Sequence, residues 1–195
     1  MTDPSVNSRN NASKVLVPIL TIGLVAVMVV AGLSILRRHL ISKSGTSNSS
    51  TVEAGGLVPE FTLHKFMGED VRSTELKAKV ILINFWASWC ESCVVEMPAL
   101  VRLAKTYQNR GFLLIPVSVD EKPEEVLPRL IRSFQIDFPI YTDVDGTVSS
   151  VFDVYAIPFT VVYSGKTGKV LMVESGERDW GSQQIHAKIE QWLNE

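Results

Sequence analysis

The chain holds two cysteines, Cys90 and Cys93, both inside the stretch VILINFWASWCESCVVEMP at residues 80–98. Two thiols separated by two residues can close and reopen a disulfide, or supply half of a zinc site. There is no second cysteine pair, and His39, His64 and His186 are scattered without ligand spacing. Redox chemistry is therefore favoured, and no metal is expected. With both cysteines in one motif, none is left for a disulfide framework.

The surroundings support that chemistry. The apolar run from Val80 reads as a strand covered on both faces. A helix follows from about Cys90 to Tyr107, with Val94, Met97, Leu100, Val101 and Ala104 on its core face. A cysteine in the first turn of a helix meets unpaired N–H groups and the positive end of the macrodipole, which favour thiolate. Cys90 has that place, and Cys93 lies one turn deeper on the same face. Cys90 is thus the expected nucleophile, forming a mixed disulfide that Cys93 resolves. Glu91 works against the thiolate and so points to a reducing poise.

Around this pair the sequence predicts an α/β domain over 57–195 with a mixed central sheet. Phe61–His64 reads as an edge strand, with a reversal at Gly68, Glu69 and Asp70. A second buried strand spans 112–119. A helix opens at Pro123, with Leu127, Leu130, Ile131 and Phe134 at helical spacing. A short strand is expected from Phe138 to Tyr141. Asp143-Val144-Asp145-Gly146 reads as a turn, because Phe152 stands where a calcium loop needs Glu. A short helix should cover 148–154. Residues 160–163 and 170–173 flank a Gly-containing hairpin turn, and Ile185, Ile189, Trp192 and Leu193 line a last helix.

The N-terminal quarter differs in kind. A polar tail (1–14) precedes 22 residues without a charge (15–36), enough helix to span roughly 33 Å of bilayer. That run ends in Arg37-Arg38-His39, as an uncleaved transmembrane anchor would. A basic flank and Ser/Thr/Gly linker (37–56) follow, with nothing to bury. Net charge is −2, but residues 1–43 carry +4 and the remaining 152 carry −6. A mildly acidic domain without a basic stripe argues against nucleic acid as a partner. The charge count across the anchor leans towards a cytoplasmic C-terminus. The dithiol chemistry favours the oxidising, extracytoplasmic side, where substrate disulfides accumulate, and that placement is preferred.

Trp86-Ala87-Ser88-Trp89-Cys90-x-x-Cys93 resembles the thioredoxin active site. Pro98, eight residues after Cys90, falls where thioredoxins kink their active-site helix. Ile157-Pro158, before a strand, matches that family's cis-proline loop. More narrowly, 57–195 is similar to the membrane-anchored TlpA/ResA/CcmG-like branch. The shared features are the anchor, the Asn84-Phe85-Trp86 strand end, a Glu within the C-x-x-C, and an extra stretch near 121–138. The resemblance implies a thioredoxin-like fold, a cis Pro158 and an Ile157 backbone free to pair with a substrate strand. Trp89 would shape the surface around Cys90. Asn84 replaces the buried Asp of thioredoxin proper, and Glu96 matches a carboxylate implicated near the dithiol in the ResA-like branch, as a proton acceptor or modulator. Ser92 and Phe159 depart from the usual Pro and Thr.

The expected activity is thiol–disulfide exchange by a membrane-tethered oxidoreductase in the bacterial cytoplasmic membrane, its domain periplasmic. It would use no cofactor beyond the Cys90–Cys93 disulfide. The resemblance implies disulfide-containing protein substrates, apocytochrome c favoured, and a membrane reductase as electron donor. General envelope reduction or isomerisation, copper-site assembly, and a non-enzymatic binding module remain as alternatives.

Overall fold

The computed structural model describes residues 52–195. The tail, the expected anchor and the linker up to residue 51 lie outside the described residues. Among the described residues no helix is long and apolar enough to cross a membrane.

The strands are β1 (Thr62–Lys65), β2 (Val71–Arg72), β3 (Val80–Trp86), β4 (Phe112–Ser118), β5 (Tyr141–Thr142), β6 (Phe159–Ser164) and β7 (Val170–Ser175). The helices are α1 (Glu91–Tyr107), α2 (Pro123–Phe134), α3 (Thr147–Val151) and α4 (Gln183–Asn194). The strands form one sheet in the order β2-β1-β5-β4-β3-β6-β7. β3 runs parallel to β4 and β4 to β5, whereas β1, β6 and β7 pair antiparallel with their neighbours. The sheet is mixed, as expected.

β3 lies near the middle, and all seven of its residues are buried. Side chains alternate along a strand, so β3 serves both layers. Ile81, Ile83 and Phe85 enter one core with Phe61, Leu63, Val117, Val148 and Phe152. Val80 and Leu82 enter the other, against Leu100, Leu103 and Tyr107 of α1 and Ile185, Ile189 and Leu193 of α4. By the same alternation Asn84 falls on the α1 side, within reach of that helix. Gly111, at φ +93°, takes the left-handed turn that ends the α1 region. Its carbonyl accepts from Lys79 N and Val80 N, setting the start of β3 beside β4.

Several expectations shift. The predicted edge strand is interior: β1 lies between β2 and β5, and the two-residue β2 takes the edge. The strand expected at Phe138–Tyr141 is instead β5, Tyr141–Thr142. Pro139 can donate no ladder bond, and Phe138 packs among apolar side chains of two clusters. The short helix is α3, shifted one residue earlier and ending at Val151. The linker does not run to Gly56. Val52 is buried in the core, Gly55 N donates to Val170 O at 2.8 Å, and Val170 N donates to Gly56 O at 2.8 Å. This backbone covers part of the β7 edge.

Candidate active site

Cys90 is the N-cap of α1, in extended conformation, and its sulfur accepts from Cys93 N at 3.3 Å. The sulfur stands where Ser, Thr or Asp would cap a helix. A thiolate there would meet the same N–H and the helix dipole. Cys90 and Cys93 are joined as a disulfide with a Cα–Cα distance of 5.3 Å. Cys90 is 8% exposed and Cys93 fully buried, so the outer sulfur is the one an incoming group can reach. Ser92 Oγ lies 3.6 Å from Cys90 Sγ. Pro98 sits inside α1, where it forfeits the hydrogen bond to the Val94 carbonyl.

The peptide bond between Ile157 and Pro158 is cis. Ile157 packs against the cluster that contains Cys90, Cys93, Trp86 and Met97. The pairing of Phe85 with Phe159 and of Asn84 with Thr160 carries this loop alongside the end of β3. No backbone N–H or C=O of Tyr155, Ala156 or Ile157 has a hydrogen-bond partner among the described residues. Such a segment is ready to pair with an extended chain. Trp89 stands 70% exposed next to Cys90. Cys90, Cys93, Trp89, Ile157 and Pro158 are thus gathered at one end of the sheet.

Glu96 is not a solvated helix carboxylate: it is 4% exposed. Oε1 accepts from Asn84 Nδ2 at 3.0 Å; Oε2 accepts from Trp180 Nε1 at 3.1 Å and from Arg178 N at 3.3 Å. Burial pushes its pKa above the ordinary carboxylate value; the three donors pull the other way, and nearby Glu177 adds to the rise. Burial outweighs the donors. Asn84 spends its second N–H on Thr160 Oγ1 at 3.0 Å, and its Oδ1 is buried without a partner among the described residues. Glu96 is three residues beyond Cys93 on α1, on the same flank of the helix.

Two buried carboxylates escaped the sequence reading. Asp120, just past β4, accepts from Ser88 N at 3.1 and 3.0 Å, from Ser88 Oγ at 2.6 Å and from Ser118 Oγ at 2.8 Å. It therefore clamps the loop that carries Trp89 into Cys90. Asp143, read only as part of a turn, accepts from Val148 N at 2.9 Å and Ser149 N at 2.7 Å, capping α3. An Asp directly after an apolar strand run was the available signal; its partner 32 residues away was not.

Comparison with known proteins agrees with this geometry. Residues 54–172 match the AhpC/TSA family. The chain is 29% identical over 130 residues to the thiol-disulfide oxidoreductase ResA of Bacillus subtilis, covering 67% of this chain and 72% of that one. To the ResA of Geobacillus thermodenitrificans it is 31% identical, covering 67% and 74%. Among solved structures, a candidate thiol:disulfide interchange protein DsbE from Chlorobium tepidum superposes with a TM-score of 0.65 at 24% identity, covering 73% of this chain and 99% of that one. A thiol:disulfide interchange protein from Bacteroides sp. gives 0.61 at 22% identity, covering 74% and 93%. These last two likenesses speak for the fold alone. The binding-module alternative gives way to an enzyme. The chain belongs to the AhpC/TSA family, as a thioredoxin-fold thiol-disulfide oxidoreductase of the ResA type.

Proposed function

We propose that the chain is a membrane-tethered reductase of disulfides in extracytoplasmic proteins. The observation that carries the reading is the capped Cys90–Cys93 pair, its outer sulfur reachable and its inner one sealed, beside a loop with unpaired backbone. In the reduced enzyme Cys90 thiolate attacks one sulfur of a substrate disulfide. A mixed disulfide forms, and the other substrate sulfur leaves as a thiolate that takes up a proton. Cys93, having given up its own proton, then attacks Cys90 Sγ. The substrate departs as a dithiol, and the two electrons it gained leave Cys90 and Cys93 oxidised. Glu96 is the proton acceptor or modulator for Cys93. It is a buried carboxylate with a raised pKa on the same helix. Ile157 and Pro158 receive the substrate strand, and Trp89 shapes the surface beside it.

The tether is supported by the 22-residue uncharged run. Apocytochrome c as favoured substrate, and a membrane-embedded reductase as electron source, rest on the resemblance to the TlpA/ResA/CcmG-like branch. A Cys93→Ser chain cannot resolve and should accumulate mixed disulfides, through Cys90, with the proteins it reduces. Identification of the trapped proteins tests the substrate. Trapping none, where a thioredoxin control succeeds, would overturn the reading.

A further inference from the structure

At the end of the sheet where β3 begins, Lys79, Lys166 and Lys169 line a cavity of roughly 240 Å³ together with Leu171 and Trp192. Glu195 is the one acid in that lining. All three lysines are exposed, and none is in an ion pair among the described residues. Lys79 Nζ donates to Leu193 O at 3.0 Å, at the C-terminal end of α4. The turn that carries Lys166 and Lys169 is fixed against the start of β3. Gly165 N donates to Lys79 O at 2.9 Å, and a side chain on Gly165 would run into the Ala78 carbonyl. Three cations are thus held together although residues 44–195 carry a net charge of −6. Like charges gathered in this way repel one another, and an anionic occupant relieves them.

The described chain also begins at this edge. Val58 N donates to Gly168 O at 2.9 Å, and Leu57, 70% exposed, bridges Lys169. Residues 37–51 lead to it from the uncharged N-terminal run, at most about 50 Å of fully extended chain. Cations, a half-buried Trp and an exposed Leu are side chains suited to the headgroup level of a bilayer. The dithiol end has the opposite sign. Segments 88–91, 119–121 and 149–157 carry Glu91, Asp120, Glu121 and Asp153 and no Lys, Arg or His. Val80 pairs with Ser164 at one end of β3 and Phe85 with Phe159 at the other. The length of β3 sets those two ends about 20 Å apart.

We propose that this basic edge docks on the anionic phospholipid headgroups of the membrane that holds the N-terminal run. Lys79, Lys166 and Lys169 meet the phosphates, and Trp192 and Leu57 lie at headgroup level. Three lysines alone would hold a free domain weakly. A short tether keeps the domain at high effective concentration over the surface, so a weak patch suffices. Docked in this way, the acidic dithiol end points away from the bilayer, which repels it. Cys90 then meets its partners at least about 20 Å out from the headgroups. The inference rests on the membrane-tether reading and adds the orientation in which the dithiol is presented.

The test places the full chain, one copy per disc, in lipid nanodiscs of phosphatidylcholine or of phosphatidylcholine mixed with phosphatidylglycerol. Reductive methylation of lysines is followed residue by residue by mass spectrometry. Lys79, Lys166 and Lys169 should be labelled at least about threefold more slowly in the anionic discs. High salt should erase the difference. Lys122, exposed between β4 and α2, should be labelled alike in both. Lys166→Glu combined with Lys169→Glu should abolish the protection of Lys79, and Lys166→Arg with Lys169→Arg should keep it. Both positions are exposed in a turn, so neither pair of changes threatens the fold. Equal labelling of Lys79 in the two kinds of disc would overturn the docking and leave the tether standing. Protection of Lys79 that survives the two Glu substitutions would also overturn it. So would protection in uncharged detergent that grows with chain concentration, the mark of a second copy as occupant. A chain that enters neither kind of disc would sink the tether reading itself.

Discussion

At the scale of single residues, Glu96 carries the sharpest consequences. Its two oxygens face only donors, from Asn84, Arg178 and Trp180. The ionised form is thus well served by hydrogen bonds, yet burial still raises its pKa. A group whose folded pKa lies above its unfolded one holds a proton in the folded chain that the unfolded chain has lost. That stabilisation is complete below the ordinary carboxylate value and disappears as pH rises through the raised one. Glu96→Gln removes the titration, so its urea midpoint should vary less with pH across that window than the wild-type midpoint. Parallel profiles would show that Glu96 does not take up the proton. If Glu96 also receives the proton of Cys93, the substitution should slow release of the mixed disulfide by about a hundredfold and move the pH profile of that step. A purely structural Glu96 would leave the profile where it is.

At the scale of elements, the two buried aspartates tie the loops of the site to the sheet. Asp120 follows β4 and holds Ser88; Asp143 follows β5 and holds the first turn of α3. Removing the Asp120 carboxylate orphans a backbone N–H and two hydroxyls near the dithiol. Asp120→Ala should lower the unfolding free energy by about 2–4 kcal/mol in guanidinium titration. Adding Ser88→Ala to it should cost little more, because both changes break the same contact. Full additivity would show that the clamp is not the source of the loss. This layer was the least legible in the sequence. β3, α1, β4, the β6–β7 hairpin and α4 were readable because each buries a periodic apolar set against a neighbour near in sequence. β5 and β2 are two residues long, too short to show a period, so the expected strand starts three residues before β5 and β2 has no counterpart in the sequence reading. The dithiol and cis Pro158 were legible through a short, rigid motif. Glu96 was legible as a position, but its burial depends on Trp180 and Arg178, more than 80 residues away.

At the scale of the whole molecule, two physical arguments oppose each other on which side of a membrane the proposed tether would hold the domain. The flanks of the 22-residue uncharged run carry two Lys/Arg before it and three after it. By the positive-inside rule that draws the C-terminal side into the cytoplasm. A single charge of difference is a weak bias, however, and cytosolic thiol buffers keep most protein disulfides from forming. The tethered reductase proposed above would have targets chiefly where disulfides persist. We therefore expect the domain outside. Alkaline phosphatase fused after Glu195 becomes active only where its own disulfides can form, so the fusion should be active in a bacterial host. An inactive fusion made in good yield would place the domain in the cytoplasm, and the charge count would then have been the better guide. The same fusion with Arg37 and Arg38 changed to Ala separates the two arguments. Activity should hold or rise, because the flank that opposes export has lost two of its three cations.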